Sequence, residues 1–135
     1  MAEALLQAGH TWAASVQEAE VYVLNSCTIT HQAAADARRA VRRVRRENPG
    51  VKVVLTGCLA NADPVAAAAL PGVDAVLGNA DKAELAGLLS RLGAGTPGPA
   101  LVSVSALTRR MPFTALTPAV MGRRARALLK VQDGC

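Results

Sequence analysis

The residues of this sequence best suited to chemistry are its three cysteines. Two close similar stretches: "VYVLNSCT" at Val21–Thr28 and "VKVVLTGC" at Val51–Cys58 are β-rich apolar runs that end in small polar residues and a cysteine. The third, Cys135, follows "QDG" at the end of the sequence. Thiolates act as nucleophiles and as soft ligands for zinc or iron–sulfur clusters. A metal or cluster site needs three or four protein ligands, so a pair requires partners from elsewhere. Two inert, buried thiols also fit the pattern, because cysteine packs readily as a small apolar side chain. His31 lies one helical turn beyond Cys27, but no acid or amide is placed to orient it as a general base. The absence of a CxxC pair argues against a thiol-redox protein. "TGC" and "LGN" lack the GxGxxG and Walker lysine patterns of phosphate-binding loops. An odd cysteine count does not suggest a disulfide-stapled domain, and free thiols suit a reducing cytoplasm.

Arginine is the second chemical signal. "ARRAVRRVRREN" packs Arg38, Arg39, Arg42, Arg43, Arg45 and Arg46 into nine residues of a chain with net charge +5. A smaller group follows at Arg123, Arg124, Arg126 and Lys130. Guanidinium groups meet phosphate through paired hydrogen bonds, and a basic stripe is the usual footprint of a nucleic-acid partner. A solvated helix face reads the same way on charge alone. No apolar run approaches the roughly 20 residues that span a bilayer. The opening "MAEALLQAGH" has an acid where an export signal would carry positive charge.

These residues must be positioned by regular elements, and the punctuation is clear. Ala2–Ala8 reads as a helix closed by Gly9, and Val21–Leu24 as a short buried strand. Ala33, Ala37, Ala40, Val41 and Val44 recur at helical spacing over His31–Glu47, with the arginines off that stripe and toward solvent. Asn48–Pro49–Gly50 stops the helix, and Val51–Leu55 is a second strand. Asp63 before Pro64 marks an N-cap for a helix that ends at Pro71–Gly72. Val73–Leu77 is a third strand, and Asp81 with Glu84 has capping-box spacing for a helix over Lys82–Leu92. Alternating strands and helices predict an α/β fold: a parallel sheet of three or more strands with helices on both faces. Cys27, Cys58 and the Gly78–Asn79 tip then emerge at the carboxyl edge of the sheet, where such folds bind ligands. "GAGTPGPA" has linker composition, "LVSVS" reads as an extended segment, and "RARALLKVQDGC" begins a new periodic element. With aromatics at 2% of the chain, the core must be built from Val, Leu and Ala.

"VYVLNSCTIT", "NPGVKVVLTGCLA", "LPGVDAVLGNADK" and "RARALLKVQDGC" together resemble the N-terminal portion of the radical S-adenosylmethionine methylthiotransferases. The "SCTIT" run is most similar to the branch acting on threonylcarbamoyladenosine in tRNA. The resemblance implies an N-terminal domain over 1–92, a linker over 93–122 and the first strand of a radical barrel at 123–135. It implies that Cys27 and Cys58 ligate an auxiliary 4Fe-4S cluster and that Cys135 ligates a second one, which cleaves S-adenosylmethionine. The expected partners are tRNA, with Arg42, Arg43 and Arg46 as its contacts, and S-adenosylmethionine, in a cytoplasmic monomer without a membrane segment. The family's first auxiliary cysteine and the rest of its CxxxCxxC run have no counterpart in this sequence. The chain therefore reads as truncated at both ends and inactive by itself. A stand-alone α/β RNA- or nucleotide-binding module is the alternative.

Overall fold

The computed structural model describes residues 2–27, 31–93 and 98–106. Residues 94–97 and 107–122 of the expected linker, the expected barrel strand at 123–135, the basic group at Arg123–Lys130 and Cys135 lie outside the described residues.

Among the described residues four strands form one sheet: β1 (Val21–Ser26), β2 (Lys52–Gly57), β3 (Ala75–Leu77) and β4 (Leu101–Ser103). They lie side by side in chain order, every neighbouring pair parallel. Parallel pairing follows from the connections, because β1, β2 and β3 are each followed by helix that returns the chain to the starting edge. The helices are α1 (Ala2–Gln7), α2 (His31–Glu47), α3 (Cys58–Ala62), α4 (Pro64–Ala68) and α5 (Leu85–Gly93).

Side-chain alternation gives the sheet two apolar faces. Val53, Leu55 and Val76 pack with Val41 and Val44 of α2, Ala60 of α3 and Ala67 of α4. Val54, Ala75 and Leu77 pack with Leu85, Leu88, Leu89 and Leu92 of α5. From Val53 through Leu55, β2 is fully buried. This is why it reads as an unbroken apolar run: helices cover both of its faces. Each such side chain contributes roughly 1.5–3 kcal/mol by leaving water, so the folding free energy concentrates around β2. By contrast, Val21–Leu24 of β1 are only half-buried, because among the described residues β1 has a neighbour on one side alone.

The predicted boundaries of α2 hold, and the reason is local. Asn48 accepts the end of the helix by donating its backbone N–H to Val44 O at 2.8 Å. Its side-chain Nδ2 then donates to Val16 O at 3.0 Å and to Ala19 O at 2.9 Å, tying the approach to β1 against the turn into β2. The Asp63 cap also holds, with Oδ1 accepting from Ala66 N at 2.9 Å and Pro64 in the first turn.

Several features differ from the sequence reading. The six-arginine face loses a member, because Arg45 turns inward. It donates to Gly72 O at 3.0 Å, Pro49 O at 3.0 Å and Val51 O at 2.7 Å, and pairs with Asp74. Arg45 sits at the border of the buried stripe, where a long side chain reaches the orphan carbonyls around the strand starts. Asp81 is not a cap. Its carboxylate is buried and accepts from Ser105 N at 2.7 Å, and the chain makes a 3₁₀ turn over Lys82–Glu84 before α5. The extended reading of "LVSVS" holds, but inside the expected linker over 93–122 its Leu101–Ser103 pair with β3 as a fourth strand, while the capture of Ser105 by Asp81 anchors the exit.

Candidate metal-ligand edge of the sheet

The carboxyl edge brings the two cysteines together through register. Ser26 pairs with Gly57 across β1 and β2, so Cys27 and Cys58 each follow a residue of the same matched pair. Cys27 is exposed and Cys58 half-buried, both as free thiols. Cys58 is also the first residue of α3, a short helix the sequence reading did not foresee.

Two contacts fix this edge. Ser26 Oγ donates to Thr56 O at 2.7 Å inside the protein, clamping the last residue of β1 to the end of β2. Gly57 has φ 98° and ψ −162°, a region open essentially to glycine. A Cβ at Gly57 would overlap Ser26 O and come within 2.8 Å of Ser26 N and of Asn25 Oδ1. The backbone therefore turns from strand to helix within one residue while pressed against the end of β1, and Cys58 emerges beside Cys27. The signal was present in "LTGC", but a glycine before a cysteine does not announce a close backbone approach.

The Gly78–Asn79 tip joins the same edge. Thr56 pairs with Leu77, and Asn79 N donates to Asn61 Oδ1 of α3 at 2.7 Å, so the loop after β3 is held to the helix that starts at Cys58. Thr56 itself is fully buried, and its Oγ1 has no hydrogen-bond partner among the described residues.

Among the described residues no group of three or more His, Cys, Asp or Glu side chains could hold a metal ion. The donor set at the edge fits a thiophilic metal or iron–sulfur cluster in kind and supplies two ligands in number. His31 starts α2, four residues from Cys27 in the sequence. A concavity of about 920 Å³ lies elsewhere, beside β1 and between α1 and α5, and its lining includes neither cysteine.

The exposed face of α2 carries Arg38, Arg39, Arg42, Arg43 and Arg46, opposite buried Ala37, Val41 and Val44. Arg39 pairs with Asp36 at 2.7 Å, and Arg43 approaches Glu47 at 3.8 Å. The Arg39 hydrogen bond holds the Asp36 carboxyl below its usual pKa. No helix among the described residues is long and apolar enough to cross a membrane.

A family model described as "Uncharacterized protein family UPF0004" matches residues 1–78. The threonylcarbamoyladenosine tRNA methylthiotransferase MtaB of Bacillus subtilis is 34% identical over 119 residues, covering 88% of this chain and 26% of the relative. The protein of that name from Aquifex aeolicus is 33% identical over 130 residues, 96% of this chain and 31% of the relative. The ribosomal protein uS12 methylthiotransferase RimO of Chloroflexus aurantiacus is 30% identical over 139 residues, 94% of this chain and 30% of the relative. The chain thus spans less than a third of the curated relatives just named. No solved structure matches it.

Proposed function

From the premise that this chain belongs to the UPF0004 family, as an N-terminal portion of a methylthiotransferase, we propose that it serves a radical S-adenosylmethionine enzyme that methylthiolates threonylcarbamoyladenosine in tRNA. The observation that carries the reading is the in-register emergence of Cys27 and Cys58 from adjacent parallel strands. In this reading they are two ligands of an auxiliary 4Fe-4S cluster, with a third thiolate from outside the described residues, and Cys135 belongs to the cluster that binds S-adenosylmethionine. Radical chemistry of that cofactor supplies the power to break an unactivated C–H bond, which no amino-acid side chain offers.

This chain's own residues hold the edge rigid. The Ser26–Thr56 bond and the close approach at Gly57 fix the spacing of the two cysteine backbones before any cluster is present. A site set in advance in this way loses less freedom when its ligands are engaged. The enzyme acts in the cytoplasm, as a monomer, on tRNA. The threonylcarbamoyladenosine branch is favoured over the ribosomal-protein branch by the "SCTIT" run and by the several relatives named for that tRNA activity.

The test is anaerobic reconstitution of the whole protein that contains this chain, followed by iron and sulfide analysis and mass spectrometry of tRNA nucleosides. Cys27→Ser or Cys58→Ser is expected to remove one cluster's worth of iron, and Cys135→Ser the other. Methylthiolated threonylcarbamoyladenosine should appear only in the unsubstituted protein. Methylthiolation of a ribosomal protein with untouched tRNA would move the chain to the other branch. Full iron content in all three variants would refute the ligand assignment.

A further inference from the structure

We propose that the outer face of α2 is a track for an RNA backbone, with Arg38, Arg42 and Arg46 as its phosphate contacts and Arg39 and Arg43 flanking them. A solvated helix face gains by alternating charges at i,i+4 spacing and loses by stacking like ones. This helix does the latter: Arg38–Arg42, Arg42–Arg46 and Arg39–Arg43 are all like-charge i,i+4 pairs. Of its two acidic residues, Asp36 is committed to Arg39 and Glu47 faces Arg43. Arg38, Arg42 and Arg46 have no ion-pair partner among the described residues, and all three are exposed. So concentrated a cationic face is intrinsically unfavourable to the helix and is relieved by an external polyanion.

The structure separates this stripe from its neighbour. Arg45 lies in the same run, yet it is consumed by Gly72, Pro49, Val51 and Asp74 and is a structural residue. The remaining arginines spread over an arc of roughly 140° at about 100° per residue. Along the helix axis Arg38, Arg42 and Arg46 succeed one another about every 6 Å. That is a repeat comparable with the separation of successive phosphates on one strand. α2 also begins just after Cys27 and runs back to the start of β2. Arg38 therefore stands about 10 Å along the axis from the helix start, and Arg46 about 12 Å further. A backbone laid on the stripe leads to the edge that carries the cysteines. The choice of RNA, as against another polyanion, rests on the tRNA reading above. The stripe itself does not.

The experiment measures affinity of the full chain for an anticodon stem-loop RNA, a same-length polyuridine oligonucleotide and phosphatidylserine vesicles, each at several salt concentrations. The variants are Arg38→Gln/Arg42→Gln/Arg46→Gln and the matching triple lysine substitution, with thermal melting to show that both fold. Each phosphate contact carries about 0.7 of the slope of log affinity against log salt. The triple glutamine variant is therefore expected to flatten the slope by roughly 2 and to lose about 100-fold in affinity at 0.1 M salt, equally for both RNAs. The lysine variant should keep most of the slope. Unchanged affinity and slope for both RNAs overturns the proposal, as does a loss confined to the vesicles. An enzyme whose wild type shows the RNA slope but modifies no tRNA refutes the functional reading and leaves the track standing.

Discussion

Substituting Gly57 by alanine should cost more than any other single methyl group added to this domain. At φ 98° and ψ −162° the backbone occupies a region that a side chain makes unfavourable by about 1–3 kcal/mol. The added Cβ would overlap Ser26 O and approach Ser26 N and Asn25 Oδ1 to 2.8 Å. Two of those three atoms are backbone, held in the ladder of β1 with β2, so they cannot swing aside as a flexible side-chain end would. Relief requires the ends of the two strands to separate, which breaks the buried Ser26–Thr56 hydrogen bond and leaves its carbonyl unpaired, at about 1–3 kcal/mol more. The total, about 2–6 kcal/mol, is a large part of the 5–15 kcal/mol that typically stabilises a domain. In urea titrations followed by circular dichroism, Gly57→Ala should show a sharply lower midpoint and a melting temperature down by about 10 °C or more. Gly87 supplies the control: it lies exposed in α5 with no atom within 4 Å of an added Cβ, so Gly87→Ala should stabilise by about 0.5–1 kcal/mol. Equal midpoints for the two variants would refute the claim that the close approach at Gly57 sets the edge.

Thr56→Val should be neutral or stabilising by up to about 2 kcal/mol, because it removes a buried hydroxyl that has no partner among the described residues and keeps the shape; clear destabilisation in a thermal melt would show that the hydroxyl is in fact satisfied. Arg45→Gln should destabilise by about 1.5–3 kcal/mol, since it releases three carbonyls and leaves Asp74 half-buried without its cation, whereas Arg42→Gln should stay within about 0.5 kcal/mol. Similar melting temperatures for those two arginine variants would contradict the separation of Arg45 from the exposed stripe. Asp81→Ala should loosen β4, since Ser105 N loses its acceptor, and faster hydrogen exchange at Gly78 and Leu101 relative to Val53–Leu55 is the expected readout.

How much was legible in the sequence depended on whether the information was local. The periodicity of α2, its stop at Asn48–Pro49–Gly50, the Asp63–Pro64 cap and the apolar run of β2 are set within a few residues. Each follows from backbone sterics or from one face of one element, and the structure repeats them. The parallel sheet was also readable, because strands alternating with helices leave little choice of topology. So was the arrival of Cys27 and Cys58 at one edge, given the two similar strand ends.

The tertiary structure decided what depends on a distant partner. The sequence presents Arg45 and Arg46 as equals. Only the position of the strand starts turns one inward to four acceptors and leaves the other in solvent. Asp81 looks like a cap until Ser105, 24 residues away, offers a better use for its carboxylate. "LVSVS" reads as an extended segment, but nothing local in it names a partner strand. Leu101–Ser103 join the sheet because β3 presents an unpaired edge to them, and hydrogen bonds at an edge are satisfied by whatever segment the fold brings alongside. Gly57 shows the same division. The residue type was plain from the sequence, but its reason, the backbone of β1 pressed against the place where a Cβ would be, exists only once the two strands are side by side.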